Sequence, residues 1–382
     1  MQFGRFCRIF DSVGLSTHTV GLSAQTASRV IDSDRKLIIP NLTVDLGSGG
    51  YLAAGYDTVH VDDCALQRGA GGRLQAVPER FPTGGMAGLA KRLAAKGVAL
   101  GLYTDEGTHT CGGFDGSKGH EAADAEYFAS VGASYVKVDG CYSNASDYAS
   151  GYAAFGKALE HVGGIAFSCS WPAYLGDDET SKPYDAMVDA GCDLWRNWDD
   201  IQCSYESLIS IITHYGKYSH TLASAAPWGT YNDPDMLLVG AGCLTEGEER
   251  MQMAVWSVLA APLIMGNDLR RVSATSRALL TNPEVIAIDQ DFLGTKGALI
   301  LNASGTSVWT RPLENDSLAV AVVREDTDVP AIDIDLAALG WPYDTANVRE
   351  TFAREDLGEV VGTIRLAVPS RHDARLFVLT LL

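Results

Sequence analysis

The chain has 382 residues, 46% of them hydrophobic, and a formal net charge of −19 at pH 7. That length holds one barrel of about 250 residues plus a small second domain, and the hydrophobic share is that of an ordinary globular protein. The acidic balance argues against nucleic acid and anionic membrane as partners, since both require basic patches. No apolar run reaches the ~18 residues that span a bilayer.

The first 50 residues are divergent, because Lys36–Val44 is apolar but runs into Gly47–Gly50 and nothing before it makes a complete strand–helix unit. Met1–Leu22 has arginines but no continuous apolar stretch of the ~7–15 residues a signal peptide needs. Beyond them, apolar runs ending in polar residues recur at Thr58–Asp63, Val98–Asp105, Tyr135–Asp139, Ile165–Trp171, Leu194–Asp200, Asn232–Leu238 and Pro262–Asp268. Helical periodicity fills the gaps at Gly85–Lys96, His120–Ser130, Ser146–His161, Ser204–Tyr215, Glu246–Ala260 and Ala274–Leu280. Gly97 and Gly132 are placed to end the first two helices, and Thr245 with Glu248 forms a capping box for the fifth. The alternation predicts an α/β fold, a (β/α)8 barrel. From about Ala298 short alternating runs predict an antiparallel β domain, so the expected division is a barrel over 1–296 and a β-sandwich over 297–382.

In such barrels the strand C-termini gather at one mouth, where catalytic groups sit. Six of the seven runs carry an Asp there, which predicts an enzyme with a carboxylate-lined pocket. Side chains alternate along a strand, so Lys137 and Asp139 share a face, as do Arg196, Trp198 and Asp200. Two carboxylates, one beside a lysine and one beside an arginine, can be driven to different protonation states. Glycoside hydrolysis needs that pair, with one carboxylate ionised as nucleophile and one protonated as general acid. Structural ion pairing is the alternative. So are a Schiff-base aldolase using Lys137 and a divalent-metal lyase using Asp62, Asp63 and Asp105.

The stretches VDDC (61–64), RLQAVPERFP (73–82), VKVDGCY (136–142), SCSWPAY (168–174), LWRNWDDIQ (194–202), NDPDML (232–237), LAAPLIMGNDLR (259–270) and VIAIDQDFLG (285–294) occur in register. Together they resemble glycoside hydrolase family 27, the melibiase-like α-galactosidases and α-N-acetylgalactosaminidases. The resemblance implies a retaining exo-α-glycosidase with Asp139 as nucleophile and Asp200 as acid/base, without a metal or other cofactor. It places Asp62 and Asp63 on the sugar's 4- and 6-hydroxyls and Lys137 on its 3- and 4-hydroxyls. Tyr103 would line the pocket, with Tyr174, Arg196 and Asp235 as further substrate contacts. Ser170 and Ala173 stand where animal galactosidases carry Glu and Leu, which implies room for an N-acetyl group. Expected substrates are terminal α-linked galactose or N-acetylgalactosamine on oligosaccharides, glycolipids or glycoproteins, with an acidic optimum because Asp200 must first be protonated. A homodimer is left open.

The same resemblance implies the disulfides Cys7–Cys64, Cys111–Cys141 and Cys169–Cys192. Cys203 and Cys243 have no family partners, and free thiols are the default expectation. Eight cysteines and four sequons (Asn41, Asn144, Asn302, Asn315) point to an oxidising, lysosomal, vacuolar or secreted location. The resemblance departs at the N-terminus, where Phe6–Cys7 aligns just after the family's first strand. The first barrel strand is therefore expected to be missing or divergent: either Lys36–Val44 substitutes for it, or the sequence is an incomplete version of a longer chain. A galactose-binding barrel with impaired catalysis is the competing outcome.

Overall fold

The computed structural model describes residues 49–325, 331–368 and 370–381, together with the backbone of the strand His18–Gly21. The chain divides into two compact units, one drawn from 1–199 and 262–270, the other from 200–261 and 271–382.

The first unit is built on a parallel sheet. Its strands run in the order Leu263–Gly266, His18–Gly21, Thr58–His60, Ala99–Asp105, Ala133–Asp139, Ala166–Cys169 and Leu194–Arg196. The place expected to lack a first strand is filled by His18–Gly21, which pairs with Leu263–Gly266 on one side and Thr58–Val59 on the other. Of the two expectations, missing or divergent, the strand is present and divergent, since backbone pairing needs no sequence motif and a short segment upstream of Lys36 supplies it. Lys36–Val44 lies outside the described residues.

Helices Gly85–Ala94, Glu121–Val131 and Tyr148–Val162 separate these strands as the periodicity predicts. Gly132 ends the second in a left-handed conformation at φ 82°, which costs glycine nothing. The third is pressed onto the sheet by Tyr152, Phe155 and Leu159, all buried. Gly156 lets the end of the helix Tyr184–Asp189 come close, since a Cβ there would come within 1.8 Å of the Ala190 carbonyl oxygen. Tyr152 also stacks on Trp171, with ring centroids 5.5 Å apart.

In the second unit the helix Glu246–Leu259 has the capping box expected at Thr245 and Glu248. Its residues Met251–Leu259 are buried throughout, and it lies against the strands Asp373–Thr380 and Ser317–Arg324. Those strands belong to a six-stranded antiparallel sheet in the order Ala298–Ala303, Thr306–Leu313, Ser317–Arg324, Asp373–Thr380, Thr345–Glu350, Glu355–Val361. A two-stranded sheet, Ala331–Asp335 with Thr363–Ala367, closes over it. Val320, Val322, Phe377, Leu336, Trp341, Ile364 and Leu366 fill the space between, as in a β-sandwich.

Arg311 explains why helices before residue 296 cluster with this sheet. Only 1% exposed, it donates to the carbonyls of Thr295 at 2.7 Å, Ser257 at 3.0 Å, Ile288 at 2.5 Å and Asp289 at 2.9 Å. One guanidinium thus satisfies the carbonyl ends of two helices from inside a strand. Arg311→Met leaves those buried acceptors unpaired. The unfolding free energy from urea titration is expected to fall by about 3 kcal/mol or more.

Candidate active site

Asp139 ends its strand facing the side chains of the neighbouring strand ends. Its Oδ1 accepts hydrogen bonds from the Tyr174 hydroxyl at 2.7 Å and the Gly140 N–H at 3.0 Å. Its Oδ2 accepts from the Tyr103 hydroxyl at 2.9 Å. Tyr103 pairs in register with Lys137 and Asp105 with Asp139, so the sheet itself sets this spacing. Lys137 Nζ lies 3.3 Å from Asp62 Oδ2 and 4.0 Å from Asp139 Oδ2, over the Tyr103 ring. A carboxylate that takes three donors beside an ammonium group is fixed in orientation, as a nucleophile requires.

The strand end is held from behind. Tyr152 donates to the carbonyls of Val138 and Asp139 at 3.2 and 2.9 Å, and Tyr148 donates to that of Gly140 at 2.9 Å. Gly140 has no side chain because Tyr174 lies over it, and a Cβ there would meet the ring at 2.8 Å. The Tyr174 hydroxyl also sits 3.2 Å from the Cys141 sulfur, which is bonded to Cys111. Strand alternation alone did not single out Tyr148 and Tyr152, since they reach the site from the following helix.

Asp62 Oδ1 accepts the Asp63 N–H at 2.8 Å, and its other oxygen faces Lys137. Asp63 is turned toward backbone, accepting from Cys64 N at 2.5 Å and Gly112 N at 2.6 Å. Burial raises its pKa, and Thr110 together with these backbone donors opposes the rise. Ser170 is buried, follows the strand Ala166–Cys169 and donates its N–H to the Val138 carbonyl. Ala173 and Tyr174 occupy the short 3-10 helix Trp171–Leu175 beside it. Arg196 is buried and donates to the carbonyls of Trp198 and Asp199 at 3.5 and 3.1 Å.

Two predicted residues fall in the second unit. Asp200 begins it. Asp235 Oδ2 accepts from the Ile201 N–H and its Oδ1 from the Met236 N–H, both at 2.8 Å. Asp235 therefore braces the residue after Asp200.

The disulfides Cys111–Cys141 and Cys169–Cys192 form as the resemblance implied. Cys7 lies outside the described residues. The expectation of free thiols at Cys203 and Cys243 is corrected, because the two are bonded to each other. Residues 40 apart in sequence meet only through the fold, which spacing does not reveal. Asp105 approaches the sulfurs of Cys111 and Cys141, but these are spent in their own bond and offer no thiolate to a metal.

Asp105 is fully buried and accepts from Gly107 N at 2.7 Å and Cys141 N at 3.0 Å. Burial first, and the charge of Asp139 second, push its carboxyl up to about 9 against the two donors. A proton on Asp105 removes one negative charge from behind Asp139. Because the folded value lies above the ordinary one, this group's contribution to stability is complete below about pH 4 and is lost as pH rises toward 9. The urea midpoint of the native protein is expected to drop between pH 5 and pH 8. Asp105→Asn is expected to show a smaller drop over the same interval.

Residues 32–291 match the melibiase family described as Alpha galactosidase A, and residues 303–379 match the Alpha galactosidase C-terminal beta sandwich domain. The chain is 40% identical over 307 residues to chicken (Gallus gallus) Alpha-N-acetylgalactosaminidase, covering 79% of this chain and 75% of that protein. It is also 40% identical over 299 residues to human Alpha-galactosidase A, covering 77% and 69%. In fold it is similar to alpha-galactosidase I from Mortierella vinacea, with a TM-score of 0.81 at 24% identity and 98% of each chain covered. By both halves of its length, then, the chain belongs to glycoside hydrolase family 27, the melibiase-like family of α-galactosidases and α-N-acetylgalactosaminidases, with a (β/α)8 barrel and a C-terminal β-sandwich.

Proposed function

We propose that the chain removes terminal α-linked galactose or N-acetylgalactosamine by double displacement, with Asp139 as nucleophile and Asp200 as acid/base. The observation that carries this reading is the Asp139 carboxylate, held by Tyr103, Tyr174 and Gly140 N with Lys137 alongside. An Asp139 oxygen bonds to the anomeric carbon as the glycosidic C–O bond breaks, and the Asp200 carboxyl gives its proton to the departing oxygen. Water then attacks the same carbon, yielding a proton to the Asp200 carboxylate as the Asp139 ester bond breaks. Two inversions retain the α configuration.

Asp62 and Lys137 stand beside the nucleophile, where charged groups make strong hydrogen bonds to sugar hydroxyls. Asp63 already spends both oxygens on backbone, so its part is to shape the 110–112 loop as well as to face the sugar. Small side chains at Ser170 and Ala173 favour an acetamido group at C2, and plain galactose also fits a larger pocket. We assign residues 1–296 to catalysis and 297–382 to the accessory β domain. The three disulfides support an oxidising compartment, lysosomal, vacuolar or secreted, with glycoconjugates as partners. No helix among the described residues is long and apolar enough to cross a membrane.

The test is hydrolysis of paired chromogenic α-galactoside and α-N-acetylgalactosaminide substrates between pH 4 and 7. Turnover of both is expected. Ser170→Glu with Ala173→Leu should remove the acetamido activity by about 10²-fold or more and spare the galactosidase activity, since a filled pocket excludes by overlap. Loss of both activities equally, in a folded variant, would contradict the assignment of these two positions.

A further inference from the structure

Asp139 ends a strand and inherits its rigidity from the sheet. Asp200 sits in a loop, beyond the strand Leu194–Arg196 and before the helix Tyr205–Lys217. A general acid must reach the leaving oxygen within hydrogen-bond distance, and a misplacement of 1 Å can cost about 10²-fold in rate. The loop therefore needs a brace of its own.

The second unit provides one. Ile201 donates its N–H to Asp235, Gln202 donates to Ser207 Oγ at 2.8 Å, and Cys203 is bonded to Cys243. The far side of these attachments is stiff. Asp235 holds a left-handed backbone at φ 82°, which a side chain tolerates only when its surroundings fix it. Its carbonyl accepts from Trp256 Nε1 at 2.8 Å, and Gln252 bonds both Leu238 N and Met236 O. Gly240 N donates to Glu249 at 2.7 Å, and Thr245 caps the same helix. The segment 235–245 is thus fastened to the buried helix Glu246–Leu259, and Cys243 lies within it. A hydrogen bond at Ile201 and a covalent bond at Cys203 bracket Gln202 and tie the loop to that helix at two points.

Resting on the catalytic assignment above, we infer that the Cys203–Cys243 disulfide is a positioning element for the acid/base Asp200, transmitting the rigidity of the Glu246–Leu259 helix to the loop that carries it. Its failure would impair proton transfer to the leaving oxygen while leaving the Asp139 attack on an activated substrate intact.

The test compares the full chain with Cys203→Ser/Cys243→Ser, using an oligosaccharide with a terminal α-galactosyl unit and 2,4-dinitrophenyl α-galactoside. The sugar leaving group needs a proton and the dinitrophenolate does not. In the double variant, kcat/KM on the oligosaccharide is expected to fall about 10- to 100-fold, while kcat/KM on the dinitrophenyl substrate stays within about twofold. Azide, which replaces base-assisted water, should restore kcat on the activated substrate. Asp200→Asn serves as the benchmark and should show the same split, more strongly. Equal loss on both substrates, as from a smaller folded fraction, would overturn the positioning role, and so would no loss at all. Absence of the split in Asp200→Asn would instead overturn the catalytic assignment on which the inference rests.

Discussion

Three hydrogen bonds to one carboxylate organise the first unit. Tyr103, Tyr174 and the Gly140 N–H converge on Asp139, and the register of the parallel sheet sets Tyr103 opposite Lys137. A charged carboxylate that leaves water needs such partners, and nearly every notable contact nearby serves to keep them in place. Tyr148 and Tyr152 hold the strand end, the Cys111–Cys141 bond backs Tyr174, and Gly140 leaves room for its ring. The buried Asp105 receives the Cys141 N–H just below, and its carboxyl, pushed up to about 9, stands behind the nucleophile as a neutral acid at physiological pH.

The second unit solves a different problem. Its antiparallel sheet buries one face in a sandwich and leaves the other to a helix, Glu246–Leu259, whose residues Met251–Leu259 are all buried. A helix whose C-terminal turns are buried needs its carbonyl end satisfied from within, and Arg311 contributes to this through Ser257. That same helix anchors Asp235 and the segment bearing Cys243. Packing in the accessory sheet and the brace on the Asp200 loop thus share one element.

Strand periodicity revealed the units that build the sheet, because alternation of apolar and polar residues is a local property. The Asp residues at strand ends were equally legible, and the helix stop at Gly132 followed from glycine's tolerance of positive φ. What the pattern did not reveal was pairing at a distance. His18–Gly21 carries no apolar run long enough to read as a strand, yet its backbone pairs on both sides. Cys203 and Cys243 meet only because the segment 235–245 folds back onto its helix. Asp235 likewise makes contacts its motif did not reveal, since its oxygens accept the N–H groups of Ile201 and Met236.

The central claim is that the Asp139 carboxylate forms the bond to the sugar. The direct measurement is mass spectrometry of a proteolytic digest after reaction with a fluorinated galactosyl substrate that slows the second displacement. The account predicts a glycosyl ester on the peptide containing Asp139. An ester on any other carboxylate, or turnover of ordinary substrate by Asp139→Asn at the native rate, would contradict it.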